Sequence, residues 1–393
     1  MTKGKNAYNF MKENRQTLDS IDDASALGIL KDEIKCGLEG KGGLPMYRTF
    51  LSPFRQKGTS HECIAVDVGG TSLRCARALI DEDGRASISD IRKRTVPGLD
   101  ETVSEEDFFK ALVDFAGIAD ESIPVAVSWS YNMESLPGLD AKMLGWCKEV
   151  SVSGCSGKTV AGCIRDAAHL PGLSVSVIND SSALALSAAE DENINEAVIA
   201  LIVGTGFNIC CPFRIDGKAE LINTECGESD AFLKGLFDMK VIASSADPFF
   251  AHAEKQCSGV YLEKIIREAV ISMHEEGLIK NIKKYEGFDL KSFGELQVKT
   301  ADDEMIASAV SEAVKRASGI AAITACSLID CVKEDFDSFK IVTDGSVINH
   351  MPGFMEQFES KLRQLIPENM GLVIEKGNES CLKGAAVSSV AQG

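Results

Sequence analysis

The sequence predicts an α/β protein of two lobes around a cleft. Three observations carry this reading. Strand, turn and helix patterns recur along most of the chain. An apolar strand ending in a glycine and threonine turn occurs at "AVDVGGTSLR" and again at "IVGTGFN", so the two halves look like duplicated β units with one phosphate loop each. At 393 residues, the chain is also too long for one ordinary core.

Taken in order, residues 15–40 read as a helix, with Leu27, Leu30, Ile34 and Leu38 at helical spacing and "GKGG" ending it. "CIAVDVGG" is a strand, and Asp83-Gly84 turns the chain between the two strand-like segments that follow. Ser104 with Asp107 predicts a capping box for a helix that carries Phe108, Leu112 and Phe115 on one face. "IPVAVSWS" reads as a buried strand, "GKTVAGCIRDAAHL" as a helix, "LSVSVIND" as a strand and "SSALALSAAEDE" as an Ala-rich helix. The pattern restarts at Glu196 with two strands about the Gly-Thr-Gly turn and an "IDGK" hairpin turn. Residues 247–330 are mostly helical, "FKIVTDGSV" adds a strand with a Gly-Ser turn, and "LKGAAVSSVAQ" is a short helix with Gly384 at its start.

Composition narrows the function. With 45% hydrophobic and 25% charged residues, this is a globular chain expected to fold throughout. A formal charge of −18 speaks against a sequence-independent nucleic-acid binder, which needs basic patches to displace counterions. The N-terminal "MTKGKNAYNFMKENRQ" has charges where a signal peptide needs its apolar core, and the longest apolar run, Ala197 to Val203, is too short to span a bilayer; a cytoplasmic location is expected. Thirteen cysteines, an odd count with no C-x-x-C pair, read as free thiols, with Cys210 and Cys211 inside a strand and the protein sensitive to oxidation. Five histidines with no H-E-x-x-H spacing argue against a zinc enzyme.

The polar residues interrupting the strands are the candidate site. Gly69 and Gly70 can take positive φ and bring backbone amides to an anion, Thr71 adds a hydroxyl, and Asp67 could hold the water ligands of a metal ion. The same residues would also make an ordinary hairpin. Gly204, Thr205 and Gly206 repeat the logic in the second half, and Gly345 with Ser346 offers close approach to a flat ligand such as a nucleoside, or a plain type I turn. The pattern differs from G-x-x-x-x-G-K-[ST] and from G-x-G-x-x-G. Asn179 and Asp180 end a strand at a sheet's carboxyl edge, where open α/β sheets bind ligands. Asp180 is there either a general base or simply a helix cap.

In this order the motifs resemble the hexokinase family of the actin-like sugar kinases: "LPMYRTF", "AVDVGGTSLR", "WSY" followed by "WCKEVSVSGCSGKTV", "VIND", "IVGTGFN", "NTECGE", "ADPFFAHAEKQCSGVYLEKIIRE", "TDGSV" and "LKGAAVSSVA". The resemblance implies a two-lobed actin-like ATPase (ribonuclease H-like) fold. A small α/β domain would span 62–179, rejoined by a C-terminal helix at 384–393, and a large α/β domain would comprise 1–61 and 180–383.

It further implies ATP-dependent phosphorylation of a hexose, with glucose the expected sugar. Asp180 would be the general base and Lys148 a further catalytic residue. Ser130, Cys147, Lys148, Asn179, Asp180, Asn208, Glu225 and Glu254 would line the sugar site. Asp67, Gly69, Gly70, Thr71, Arg74, Gly204, Thr205, Gly206, Gly345 and Ser346 would serve the nucleotide and its phosphates, and Asp67 and Asp180 would hold Mg2+ through water. The chain departs from the family pattern at Ser72, Trp129, Asn132, Cys147, Phe249 to Ala251, Cys381 and Leu382. The alternative implied by those departures is a sugar sensor that keeps the fold with little turnover. A different actin-like ATPase would leave Glu225 and Glu254 without a role.

Overall fold

The computed structural model describes residues 6–99, 101–146, 150–154 and 157–392. Strands β1 (His61–Val68), β2 (Ser72–Ile80), β3 (Ala86–Thr95), β4 (Val125–Trp129) and β5 (Val175–Asn179) form a five-stranded sheet in the order β5-β4-β1-β2-β3. The first three are joined antiparallel, while β4 and β5 run parallel to β1. Strands β6 (Glu196–Val203), β7 (Phe207–Ile215), β8 (Lys218–Asn223), β9 (Ser338–Asp344) and β10 (Leu372–Lys376) repeat that order and those senses in a second sheet. The two-residue strand Tyr47–Arg48 adds an edge beside β8. The repeated turn motif in the sequence thus reflects a repeated fold, and both glycine turns fall between the first two strands of their units.

The helices that matter to the site are α1 (Asp23–Leu38), α2 (Glu105–Ala116), α3 (Val160–Ala168), α4 (Asp180–Ser187), α5 (Ala301–Val332) and α6 (Ser380–Ser388). Period-two alternation sorts the strand residues between layers. Ile64, Val66 and Val68 of β1 pack with Phe108 and Leu112 of α2 and Val160 and Ile164 of α3. On the other face Cys63, Ala65, Ala76, Ala78 and Ala126 meet Leu382, Ala385 and Ala386 of α6. In the second sheet Ala197, Ile199, Leu201 and Val203 pack with α5, while Ala200, Cys210 and Val342 meet α4.

α4 and α6 therefore lie between the sheets, where the side chains are mostly small and the helices approach closely. Gly384 is the closest point: a Cβ there would stand 1.7 Å from the Ala183 carbonyl oxygen. It sits inside α6, which begins at Ser380, so the helix starts earlier than the sequence reading placed it.

Three other expectations change in detail. The single helix over 15–40 is not formed. The chain makes a helix at Ala7–Glu13 and a 3-10 turn at Leu18–Ser20, and α1 starts where the Asp22 carboxylate accepts the Ser25 amide at 3.2 Å. Ser104 caps α2 by accepting the Asp107 amide at 3.1 Å, but its hydroxyl donates to the Asp107 carboxylate at 2.6 Å, which takes the place of the box's return bond. Phe115 is only half-buried, with Arg92 and Arg94 over its ring.

Cys210 and Cys211 are buried in β7, and the cysteines of the described residues are free thiols. Of these Cys331 is exposed and Cys36 partly so; the others are buried. Burial pushes the Cys63 thiol up to about 11 and Cys210 up to about 12. This disfavours the reactive thiolate and opposes the expected sensitivity to oxidation. Among the described residues no helix is long and apolar enough to cross a membrane.

The close crossing gives a paired prediction. Gly384→Ala should destabilise by about 1–3 kcal/mol through overpacking. Gly28→Ala, in α1 with nothing within 4 Å of its Cβ position, should stabilise by about 0.5–1 kcal/mol through helix propensity. Urea unfolding midpoints of the two variants check both signs.

Candidate active site

β1 ends in Asp67 and Val68, and its turn into β2 holds Gly69, Gly70 and Thr71. Asp67 is 5% exposed, and Arg74, opposite it on β2, donates to its Oδ2 from Nε at 2.9 Å and from Nη2 at 2.8 Å. Burial pushes the Asp67 carboxyl up, and the Arg74 charge opposes that shift. Nη1 of the same guanidinium donates to Glu379 at 2.8 Å, one residue before α6. Arg74, read from sequence as a phosphate ligand, is thus committed to two carboxylates.

The turn itself is held without left-handed glycines. Neither Gly69 nor Gly70 takes positive φ; the Gly69 amide donates to Ser72 at 3.0 Å and its carbonyl accepts the Tyr131 hydroxyl at 2.9 Å. Thr71 is exposed. Ser130 follows β4, and its amide donates to Val68 at 3.1 Å, which sets it beside the end of β1.

The second turn is fixed by contact between backbones. Gly345 has φ 114°, and a Cβ on it would lie 2.3 Å from the Val203 carbonyl oxygen. Gly204 lies beneath it and donates its amide to Gly206 at 2.9 Å, while the Gly259 amide donates to the Gly204 carbonyl at 2.7 Å. The Gly204-Thr205-Gly206 turn and the Gly345-Ser346 turn are therefore one packed unit. Ser346 opens the short helix Ser346–His350, which makes the plain-turn reading of Gly345 incomplete.

Between these two turns lies the junction of β5 and α4. Asn179, not Asp180, caps the helix: its Oδ1 accepts the Ser181 amide at 2.9 Å and the Ser181 hydroxyl at 2.6 Å. Asp180 is the first helical residue, half-buried, with Oδ1 accepting the Ser181 amide at 2.8 Å. Asp180 is close enough to Asp67 for its charge to add to the upward push on that carboxyl. Burial first, and then the charges of Asp67, Asp344 and Asp180, push the Cys381 thiol of α6 up, so all three carboxylates lie in its neighbourhood.

The proposed sugar residues form a second group along β7 and β8. Asn208 Nδ2 donates to Asn223 Oδ1 at 2.8 Å, and Asn223 Nδ2 donates to Glu225 Oε1 at 2.8 Å. Glu225 holds a left-handed backbone at φ 49°. Glu254 opens the helix Glu254–Cys257 and accepts the Phe207 amide at 3.0 Å, just after the second turn. A Cβ on Gly227 would lie 3.1 Å from the Glu254 Cβ, which ties the two glutamates' segments together. Phe249 and Phe250 precede this helix at 81% and 58% exposed, and the buried Lys255 ammonium donates to the carbonyls of Asp247 and Phe250.

The structure thus brings Asp180 near Asp67 at the first glycine turn, and links Asn208, Glu225 and Glu254 to the second. Cys147 and Lys148 lie outside the described residues. Sequence reasoning missed Asn223, Glu379, Asp344 and Tyr131 as contributors. Asn223 stands two residues before Glu225 in the quoted "NTECGE", and Asp344 precedes Gly345 in "TDGSV", so adjacency was the available signal. Glu379 had none. Among the described residues no group of three or more His, Cys, Asp or Glu side chains could hold a metal ion. Asp67 and Asp180 together suit only a hard cation such as Mg2+ that completes its shell with water and phosphate oxygens.

Removing Arg74 would leave Asp67 buried without its cation. Arg74→Ala should therefore cost about 3–5 kcal/mol in urea unfolding. Glu379→Gln, which leaves the Asp67 pair intact, should cost clearly less.

Comparison with known proteins places this geometry in a family. Models described as Hexokinase match residues 26–189 and 198–391. Hexokinase-3 of Mus musculus is 24% identical over 410 residues, covering 90% of this chain and 44% of the mouse protein, so the chain spans less than half the length of that relative. A hexokinase from Schistosoma mansoni in complex with glucose superposes with a TM-score of 0.81 at 20% identity, covering 98% of this chain and 100% of that one. A ROK family glucokinase from Streptomyces griseus in complex with glucose and AMPPNP shares the fold at a TM-score of 0.51 and 18% identity, covering 85% of this chain and 100% of that one. These likenesses establish the two-lobed actin-like ATPase fold. The chain belongs to the hexokinase family.

Proposed function

We propose that this chain transfers the γ-phosphoryl group of ATP to the 6-hydroxyl of a hexose, with glucose the expected substrate. The observation that carries the reading is the position of Asp180. Asn179 takes the capping role, and Asp180, the first residue of α4, lies near enough to Asp67 to act on its carboxyl and precedes Ser181, whose hydroxyl oxygen is 3.5 Å from Asn223 Oδ1. Asp180 takes the proton of the 6-hydroxyl as that oxygen bonds to the γ-phosphorus, and the bond from that phosphorus to the β-phosphate oxygen breaks.

Ser130, Cys147, Lys148, Asn179, Asn208, Glu225 and Glu254 hold the sugar hydroxyls and the transferred group. With their capping and turn bonds made, Asn179 and Asn208 keep mainly their amide nitrogens for this task. Thr71, Thr205 and the remaining amides of Gly70 and Gly206 meet the phosphates, since the Gly69 and Gly204 amides are used within their turns. Gly345 and Ser346 meet the nucleoside. Asp67 and Asp180 would hold Mg2+ through water, and the ion would supply charge neutralisation for the phosphates.

The lobes would be 62–179 with 384–393, and 1–61 with 180–383, closing over the sugar to keep water from the γ-phosphate. The expected location is the cytoplasm.

ADP release with ATP and Mg2+, with and without glucose, tests the proposal beside Asp180→Ala. Glucose should stimulate release strongly in the natural protein. The variant should lose about 100-fold or more while calorimetry still records glucose binding. Release that no hexose stimulates contradicts the proposal, and sugar binding without turnover in the natural protein points to the sensor.

A further inference from the structure

Asn223 is buried at 3% exposure, and its side chain joins Asn208 of β7 to Glu225 beyond β8. Its backbone pairs with Cys210 of β7 on one side and with Tyr47 on the other, so the side chain projects from a strand held at both edges. Its Nδ2 donates to Glu225 Oε1, its Oδ1 accepts Asn208 Nδ2, and the Ser181 hydroxyl lies 3.5 Å from the same oxygen. Ser181 is the residue whose amide and hydroxyl cap α4 through Asn179.

The directions of these bonds are chemically forced. An ionised carboxylate only accepts, so the Asn223 nitrogen must face Glu225 and its oxygen must face Asn208. Asn208 then turns its nitrogen to Asn223 and its oxygen to the Ile209 amide, which donates at 2.8 Å. The donors run in one direction, from the Ile209 amide through two carboxamides to the Glu225 carboxylate. Each bond polarises the next, and the chain ends on a charge. Glu225 itself holds a left-handed backbone at φ 49°, and its Oε1 takes the Asn223 bond.

We infer that Asn223 is a positioning residue for hexose recognition. It touches no substrate in this role. It fixes which oxygen of Glu225 and which hydrogen of Asn208 face the sugar. This inference rests on the hexokinase reading above, because it needs Glu225 and Asn208 to be sugar ligands.

The role makes different demands on different substitutions. Asn223→Ala deletes both bonds. Asn223→Asp keeps the shape and the acceptor for Asn208 but sets a carboxylate against the Glu225 carboxylate. Asn223→Gln keeps both functional groups on a longer arm. A residue that merely filled the core would tolerate the isosteric Asp better than the longer Gln, whereas a donor to Glu225 predicts the reverse at the sugar site.

The test is steady-state kinetics of the full chain with glucose and ATP varied separately, beginning with the natural protein and followed by the three variants. Thermal melting and the ATP KM serve as controls for folding. Hexose-dependent turnover in the natural protein is required first; its absence sinks the hexokinase reading, and this inference with it. Given turnover, Asn223→Ala and Asn223→Asp should raise the glucose KM by about 10-fold or more, with a much smaller fall in kcat and an ATP KM within about 2-fold. Asn223→Gln should recover part of the sugar affinity. A glucose KM within about 2-fold of the natural protein in folded Asn223→Asp would overturn the inference. If Asn223→Ala does not fold, the Asp and Gln pair still decides it.

Discussion

The close crossing of α4 and α6 between the two sheets is the contact on which the site depends. α4 belongs with the second sheet through Ala200, Cys210 and Val342, and α6 with the first through Cys63, Ala65 and Ala126. Their backbones approach at Ala183 and Gly384, where even a methyl group would collide. Asp180 opens one of these helices and Glu379 stands just before the other, so the crossing sets Asp180 near the Asp67 turn. Small residues along both sheet faces allow this approach. Larger ones would separate the halves and disperse the carboxylates.

A second constraint is electrostatic. The chain carries a formal charge of −18, yet the centre of the site gathers Asp67, Asp180 and Asp344 around a buried thiol. Burial is the main cause of the upward push on the Asp67 carboxyl, and the Asp180 charge adds to it. Arg74 offsets part of this by pairing with Asp67 and Glu379. A cation that arrives with a polyphosphate would offset more, which makes acidic crowding physically consistent with a magnesium nucleotide as ligand.

Much of this was legible in the sequence because it was written in local patterns. The repeated strand and glycine turn revealed the duplicated unit, since apolar runs broken by Gly and Thr appear at both places. The junction at Asn179 and Asp180 was visible as a strand end, although the capping role went to the neighbour of the residue considered for it. What stayed hidden depends on contacts between distant segments. Gly345 needs its glycine because Val203 lies against it, and nothing near Gly345 in the chain records that. The Arg74–Glu379 pair left no local trace because the two residues are 305 positions apart. The spacing of Leu27, Leu30, Ile34 and Leu38 marks only the part of the segment that forms α1; upstream the chain bends at Arg15, which adopts φ 56°, before Asp22 caps α1.

The central claim is that Asp180 faces the reacting hydroxyl of a bound hexose. A crystal structure with glucose and a non-hydrolysable ATP analogue tests it most directly. The sugar is expected between Glu225 and Glu254, with its 6-hydroxyl about 2.6–3.2 Å from the Asp180 carboxylate and in line with the γ-phosphorus. Glucose bound with that hydroxyl turned away from Asp180, or seated outside the cleft altogether, would contradict it.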